Sequence, residues 1–122
     1  MADPDTSRFM RGGRYALALH LHEATGLPLM GLYDEVGALH HAFVADFDEE
    51  VAYDARGSTD LDQVQWHRGR ECAGQEMREA AAEEVRTYAD EHDPAHVSDL
   101  DEHIAATKGL RDIMPATGPV FR

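Results

Sequence analysis

Residues 14–28 read RYALALHLHEATGLP, and the conformation of this stretch decides the fold. Alanine and leucine dominate it, no proline interrupts it before position 28, and Gly26 followed by Pro28 makes a helix stop. Leu17, Leu19 and Leu21, with Ala16 and Ala18 between them, place apolar groups on nearly every face of that helix. A helix apolar all round belongs in the interior, so this one is expected to be central. The alternation of Leu17, Leu19 and Leu21 also fits a strand, but the alanines between them and the length of the run favour helix.

Downstream, Leu29–Tyr33, Leu39–Ala45 and Val51–Tyr53 read as three short strands, separated by turn-like clusters at 34–37 and 46–50. An antiparallel meander is the simplest arrangement. Asp54, Ala55, Arg56 and Gly57 form a sharp exit, after which Ser58 or Thr59 is expected to cap a short helix through Leu61 and Val64, anchored by Trp66. Met77, Ala81, Val85 and Tyr88 share one face of a helix expected from about Ala73 to His92. Asp93 and Pro94 break it, and Val97, Leu100, Ile104 and Thr107 form the stripe of a second helix ending at Gly109. The fold class is therefore α+β: a central N-terminal helix against a small antiparallel sheet, followed by a C-terminal helical hairpin. Length supports one domain over 1–122, with an α+β core at 8–66, an acidic hairpin at 72–109 and a tail at 114–122 that docks or stays free.

Charge and cysteine count narrow the function. The chain has 24 acidic residues against 11 Lys plus Arg, a formal net charge of −13. Direct nucleic-acid binding is disfavoured, because phosphate affinity comes from clustered Lys and Arg. Cys72 is the single cysteine, so no intramolecular disulfide can form, and the chain suits a reducing cytoplasm. The N-terminal residues lack an apolar signal core, and the run Tyr15–Leu21 falls far short of the roughly 20 residues that cross a bilayer. No membrane association is expected.

Eight histidines invite a metal reading, but their spacing does not support one. His20 and His22 diverge on a helix, His40 and His41 point to opposite faces of a strand, and no pair stands at i, i+4. Gly12 and Gly13 precede the helix without a Walker-type lysine, a GxGxxG or a GxSxG. Neither metal nor cofactor is expected.

The order of elements says more. A helix beginning near Gly13-Arg14-Tyr15 and stopping at Gly26-Leu27-Pro28 is followed by His41-Ala42-Phe43-Val44 and then by Ala52-Tyr53-Asp54-Ala55-Arg56-Gly57. This stretch, from about Gly12 to Gly57, resembles the core of the papain-like and transglutaminase-like superfamily, where a Cys at the start of a central helix is served by a His on one strand and an Asp or Asn on the next. It also resembles small uncharacterised bacterial and phage proteins with an ALAL-type helix, a Gly-x-Pro stop and an Asp-x-x-Gly exit. The resemblance implies that His41 stands at the base, Asp54 at the group orienting it, and Arg14 at the nucleophile. Arginine cannot attack a carbonyl, and the adjacent Tyr15 phenol, with an ordinary pKa near 10, is a poor substitute. Cys72 lies beyond the matched region. A second reading of His41 and Asp54 stays open, in which a strand histidine and a turn aspartate merely satisfy one another.

Acidic residues are the other feature with functional content. Asp46, Asp48, Glu49 and Glu50 fall in a strand connection, Asp99, Asp101 and Glu102 begin the last helix, and Glu76, Glu79, Glu83, Glu84, Asp90 and Glu91 are expected on one helix as a partner-binding face. The excess is larger than the roughly 2 to 8 charges that keep a small domain soluble, and such a field steers a chain toward a basic surface. Salt adaptation accounts for it as well. Together these readings give a non-catalytic, acidic pseudoenzyme that occupies a basic surface, for instance on a nucleic-acid-binding protein; the phage resemblance extends this to an anti-CRISPR-like, anti-defence inhibitor. Two alternatives stand beside it: a thiol-dependent hydrolase or acyl transferase using Cys72 or an unrecognised nucleophile, and a structural or assembly subunit.

Overall fold

Helix α2 (Arg14–Thr25) runs through the interior, with Tyr15, Ala16, Leu17, Ala18, Leu19 and Leu21 all buried. It ends where the sequence predicts, since Gly26 takes φ +78° and its N–H bonds the His22 carbonyl. That left-handed conformation suits a residue without Cβ. In this computed structural model, residues 6–9, 12–61 and 76–114 are described. Val64, Trp66, Cys72, Ala73 and the tail beyond Met114 lie outside them.

A short α1 (Thr6–Phe9) precedes α2, and the strands β1 (Leu29–Tyr33), β2 (Leu39–Asp46), β3 (Val51–Asp54), β4 (Gly57–Asp60) and β5 (Glu76–Glu79) follow. The helices α3 (Ala82–His92), α4 (Val97–Ala106) and α5 (Lys108–Arg111) complete the order. The sheet order is β4-β3-β2-β1-β5, with every neighbouring pair antiparallel. The protein is thus α+β, a central helix against an antiparallel sheet with helices after it.

One device closes all three hairpins: an aspartate at or just after the end of a strand accepts backbone N–H groups from the turn it begins. Asp34 Oδ1 accepts from Val36 and Ala38, Asp46 Oδ1 from Asp48 and Glu49, and Asp54 Oδ1 from Arg56. Gly57 at φ +101° then puts a left-handed residue after the β3–β4 turn, which lets the two strands pair directly.

The two sides of the sheet carry different clusters. Leu29, Tyr33, Leu39, Ala42 and Val44 pack with α2, whereas Met30, Leu32, Phe43, Ala45 and Ala52 form a second cluster joined by Leu61 and Met77. Burying both faces explains the continuous apolar run of β1, and each large side chain so buried contributes about 1.5–3 kcal/mol.

Two expectations fail. Residues 57–60 are strand β4, not a capped helix, because Ser58 and Thr59 pair with Tyr53 and Ala52. Residues 76–79 are strand β5, not the start of a helix. Leu32 pairs with Met77, and the Ala80 N–H bonds the Leu29 carbonyl, so the open side of β1 claims this segment's backbone. Helix begins only at Ala82, with Val85 and Ala89 buried. α3 and α4 both rest on α2. The Arg8 guanidinium ties α1 to the segment between them and to the start of α4, bonding Asp93 at 2.7 and 2.9 Å and Asp99 at 3.3 Å.

Candidate functional site

The meander places His41 on β2 and Asp54 at the end of β3, and their side chains meet. Nε2 of His41 lies 3.1 Å from Oδ2 of Asp54, with the imidazole 0% and the carboxylate 4% exposed. An ionised carboxylate accepts, so Nε2 carries the hydrogen it donates to Asp54.

Arg56 completes the group. Its Nη2 donates to Asp54 Oδ2 at 2.6 Å and its Nε to Oδ1 at 3.1 Å, while its backbone N–H reaches Oδ1 at 2.9 Å. Burial works to raise the pKa of Asp54, but the hydrogen bonds and charges of His41 and Arg56 outweigh it and hold the carboxyl well below the usual range. Sequence reasoning overlooked Arg56. The signal was present as Asp-x-Arg-Gly, since a turn that brings residue 56 back over residue 54 brings its guanidinium too.

His41 stacks on Phe43, with ring centroids 5.7 Å apart. Ala42 and Val44, the alternate residues of β2, pack with α2, so the pleat directs the His41 ring to the other face of the sheet. Arg14, on the first turn of α2, is committed elsewhere. Its Nε donates to the His40 carbonyl at 2.8 Å and its Nη2 to the Tyr15 hydroxyl at 2.8 Å, with the guanidinium 4.4 Å from the Tyr15 ring centre. Tyr15 in turn donates to the Leu39 carbonyl at 3.2 Å, and the Leu39 N–H reaches the Tyr88 hydroxyl at 3.2 Å. These side chains fasten the strand where its register slips: Leu32 pairs with His41 and Tyr33 with Leu39, leaving His40 as the extra residue of a bulge. His40 pairs with Asp34 at 2.7 Å and is half-exposed.

A second histidine holds the same turn. His103 on α4 is buried and lies 3.0 Å from the Ala55 carbonyl through Nε2, with its ring 4.9 Å from Phe9. The turn 54–57 is therefore gripped from β2 by His41 and from α4 by His103. α5 closes on it as well, Gly109 lying so near that a Cβ there would stand 2.6 Å from the Ser58 nitrogen.

The acidic residues do not form the single helical face that was expected. Glu76 and Glu79 are on β5, and Glu76 pairs with Arg78 at 3.4 Å. Glu84 accepts a 2.6 Å hydrogen bond from Tyr33, so it is a structural group. Glu83, Asp90 and Glu91 are exposed on α3. Among the described residues, no group of three or more His, Cys, Asp or Glu side chains could hold a metal, and no helix is long and apolar enough to cross a membrane. No family model, curated protein or solved structure matches the chain.

Proposed function

We propose that this chain is a non-catalytic, acidic binding protein on a degenerate papain-like core, and that it works by occupying a basic protein surface. The observation that supports it most is the state of the His41–Asp54 pair: the imidazole is wholly buried and the carboxylate is locked by Arg56. A general base must come within hydrogen-bond reach of the proton it removes. This one lies beside Phe43 on the sheet face away from α2, the helix whose first turn carries Arg14 at the proposed nucleophile position. What the chain offers a partner is shape and negative potential, a net charge of −13 with Glu79, Glu83, Asp90 and Glu91 exposed. A nucleic-acid-binding protein is the partner class such a field suits, and an anti-defence inhibitor is the most specific form of the proposal.

The test is a charge-reversal series at Glu79, Glu83, Asp90 and Glu91, with Glu84 left intact because Tyr33 depends on it. The immobilised chain should retain basic nucleic-acid-binding proteins from native lysate, lose them as salt rises past about 0.15 M, and retain none after reversal. Retention indifferent to both salt and reversal would remove the electrostatic basis.

A further inference from the structure

The two edges of the sheet are unequal. β4 lies under α5, where Gly57 and Ser58 meet Gly109. β5 stands at the opposite end, and among the described residues no strand pairs with its outer edge. A terminal strand presents unpaired N–H and C=O groups, a ready template for another chain.

Side chains determine which chain can use it. β5 reads Glu76-Met77-Arg78-Glu79, with both glutamates and the arginine exposed. The exposed Arg78 side chain lies over β1, its guanidinium 4.0 Å from the Tyr33 ring centre and paired with Glu76. Met77 packs against the Met30, Leu32 and Phe43 cluster on the other face. A second copy brings the same two glutamates and another 13 negative charges, so self-pairing is opposed. A basic segment meets the opposite situation.

Building on the binding reading above, we propose that the outer edge of β5 receives an extended basic segment of a protein partner as a sixth, antiparallel strand. Main-chain hydrogen bonds supply the affinity and alternate side chains the selectivity. Opposite Glu79, Arg78, Met77 and Glu76 in turn, the incoming strand carries a basic residue, a neutral or acidic one, an apolar one that extends the Met77 cluster, and a second basic residue.

The probe is an acetylated, amidated peptide containing Lys-Thr-Val-Lys between threonines, titrated at low salt into the ¹⁵N-labelled full chain. Amide shifts should centre on residues 76–79, and a peptide with Glu in place of both Lys should bind about tenfold more weakly, the swing expected of two charge pairs. Glu76→Lys/Glu79→Lys should reverse the preference, and Glu79→Lys alone should abolish it, one attraction offset by one repulsion, while leaving the Glu76–Arg78 pair in place. Shifts confined to the exposed acidic residues of α3, or an unreversed preference, would overturn the strand-edge proposal and leave the acidic-binding reading standing. Failure of this peptide and of a helical basic peptide of equal charge to bind would overturn both.

Discussion

Replacing Asp54 by asparagine tests whether the His41–Asp54–Arg56 group is a fastening of the fold. The amide keeps the shape of the carboxylate and one acceptor oxygen, so the turn bond from the Arg56 backbone N–H survives. It cannot accept at its nitrogen, which turns a donor toward His41 Nε2 and Arg56 Nη2, now 3.1 and 2.6 Å from Oδ2. Each hydrogen bond to a charged group is worth about 1.5–3 kcal/mol, and breaking a buried pair from one side costs about 3–5 kcal/mol. Against a total stability of about 5–15 kcal/mol that loss is large, and urea unfolding at neutral pH should show it as a lower midpoint at constant slope. The pH dependence follows from the depressed pKa of Asp54. Between its folded value and the unfolded one near 3.9, the unfolded chain binds more protons, so stability rises with pH there. The contribution is complete above about pH 4 and declines by about 1.4 kcal/mol per unit as pH falls below it, toward the folded value. Asp54→Asn should lose this acid limb, the gap between the two proteins narrowing at about pH 3. A cost under about 1 kcal/mol at neutral pH, or a gap unchanged on acidification, would refute the assignment of the group to the fold.

Gly109→Ala should lower the thermal midpoint by an amount equivalent to about 1–3 kcal/mol, because its Cβ would meet the Ser58 nitrogen at 2.6 Å and the Gly57 Cα at 3.0 Å, and backbone there cannot give way as a side chain does. Gly26→Ala, with open space around it but φ +78°, should cost only about 1 kcal/mol, and calorimetry on the two variants separates steric from conformational causes. Tyr33→Phe should remove the bond to Glu84 at a cost of about 1 kcal/mol; because burial and Glu84 push the Tyr33 phenol up, spectrophotometric titration should lose a phenol ionising above the ordinary range. Raising ionic strength from low values to about 0.5 M should increase the melting temperature, since screening relieves the self-repulsion of 13 net negative charges, and a midpoint that falls with added salt would contradict this.

How far the sequence reveals this protein depends on whether the deciding interaction is local. The run 14–25 carries its own stop at Gly26, and each hairpin begins at its own aspartate, so α2 and the first three strands are legible. β4 is less so, because Ser58 and Thr59 serve equally as helix caps and as strand residues, and the choice belongs to β3, whose edge they complete. β5 is least legible. Met77, Ala81, Val85 and Tyr88 keep helical spacing, and only the unfilled side of β1, more than forty positions earlier, makes Met77 a strand residue. The meeting of His41 and Asp54 follows from the order of the strands, but their burial and the guanidinium of Arg56 do not, because both depend on which face of the sheet the bulge at His40 leaves to them.

The proposed loss of a nucleophile and the retention of the pair are energetically consistent. A side chain at the start of α2 is less enclosed than the pair: Arg14 there is half-buried, bonded to the His40 carbonyl at the bulge and laid on the Tyr15 ring. Asp54 is the more constrained. It turns the chain at 54–57, neutralises Arg56 and partners a wholly buried imidazole, so its removal strands two groups at once. Replacing His41 alone removes one donor from the buried carboxylate, whose Oδ2 keeps the Arg56 Nη2 bond at 2.6 Å. On this argument the two partners are kept by folding whatever becomes of the chemistry, and finding a histidine–aspartate pair in such a core is no evidence of turnover unless the imidazole can be reached. The decisive comparison is His41→Phe/Asp54→Ala against each single substitution: a double variant more stable than the sum of the two singles predicts shows mutual dependence inside the fold, whereas additive losses would separate the residues and reopen a catalytic role for His41.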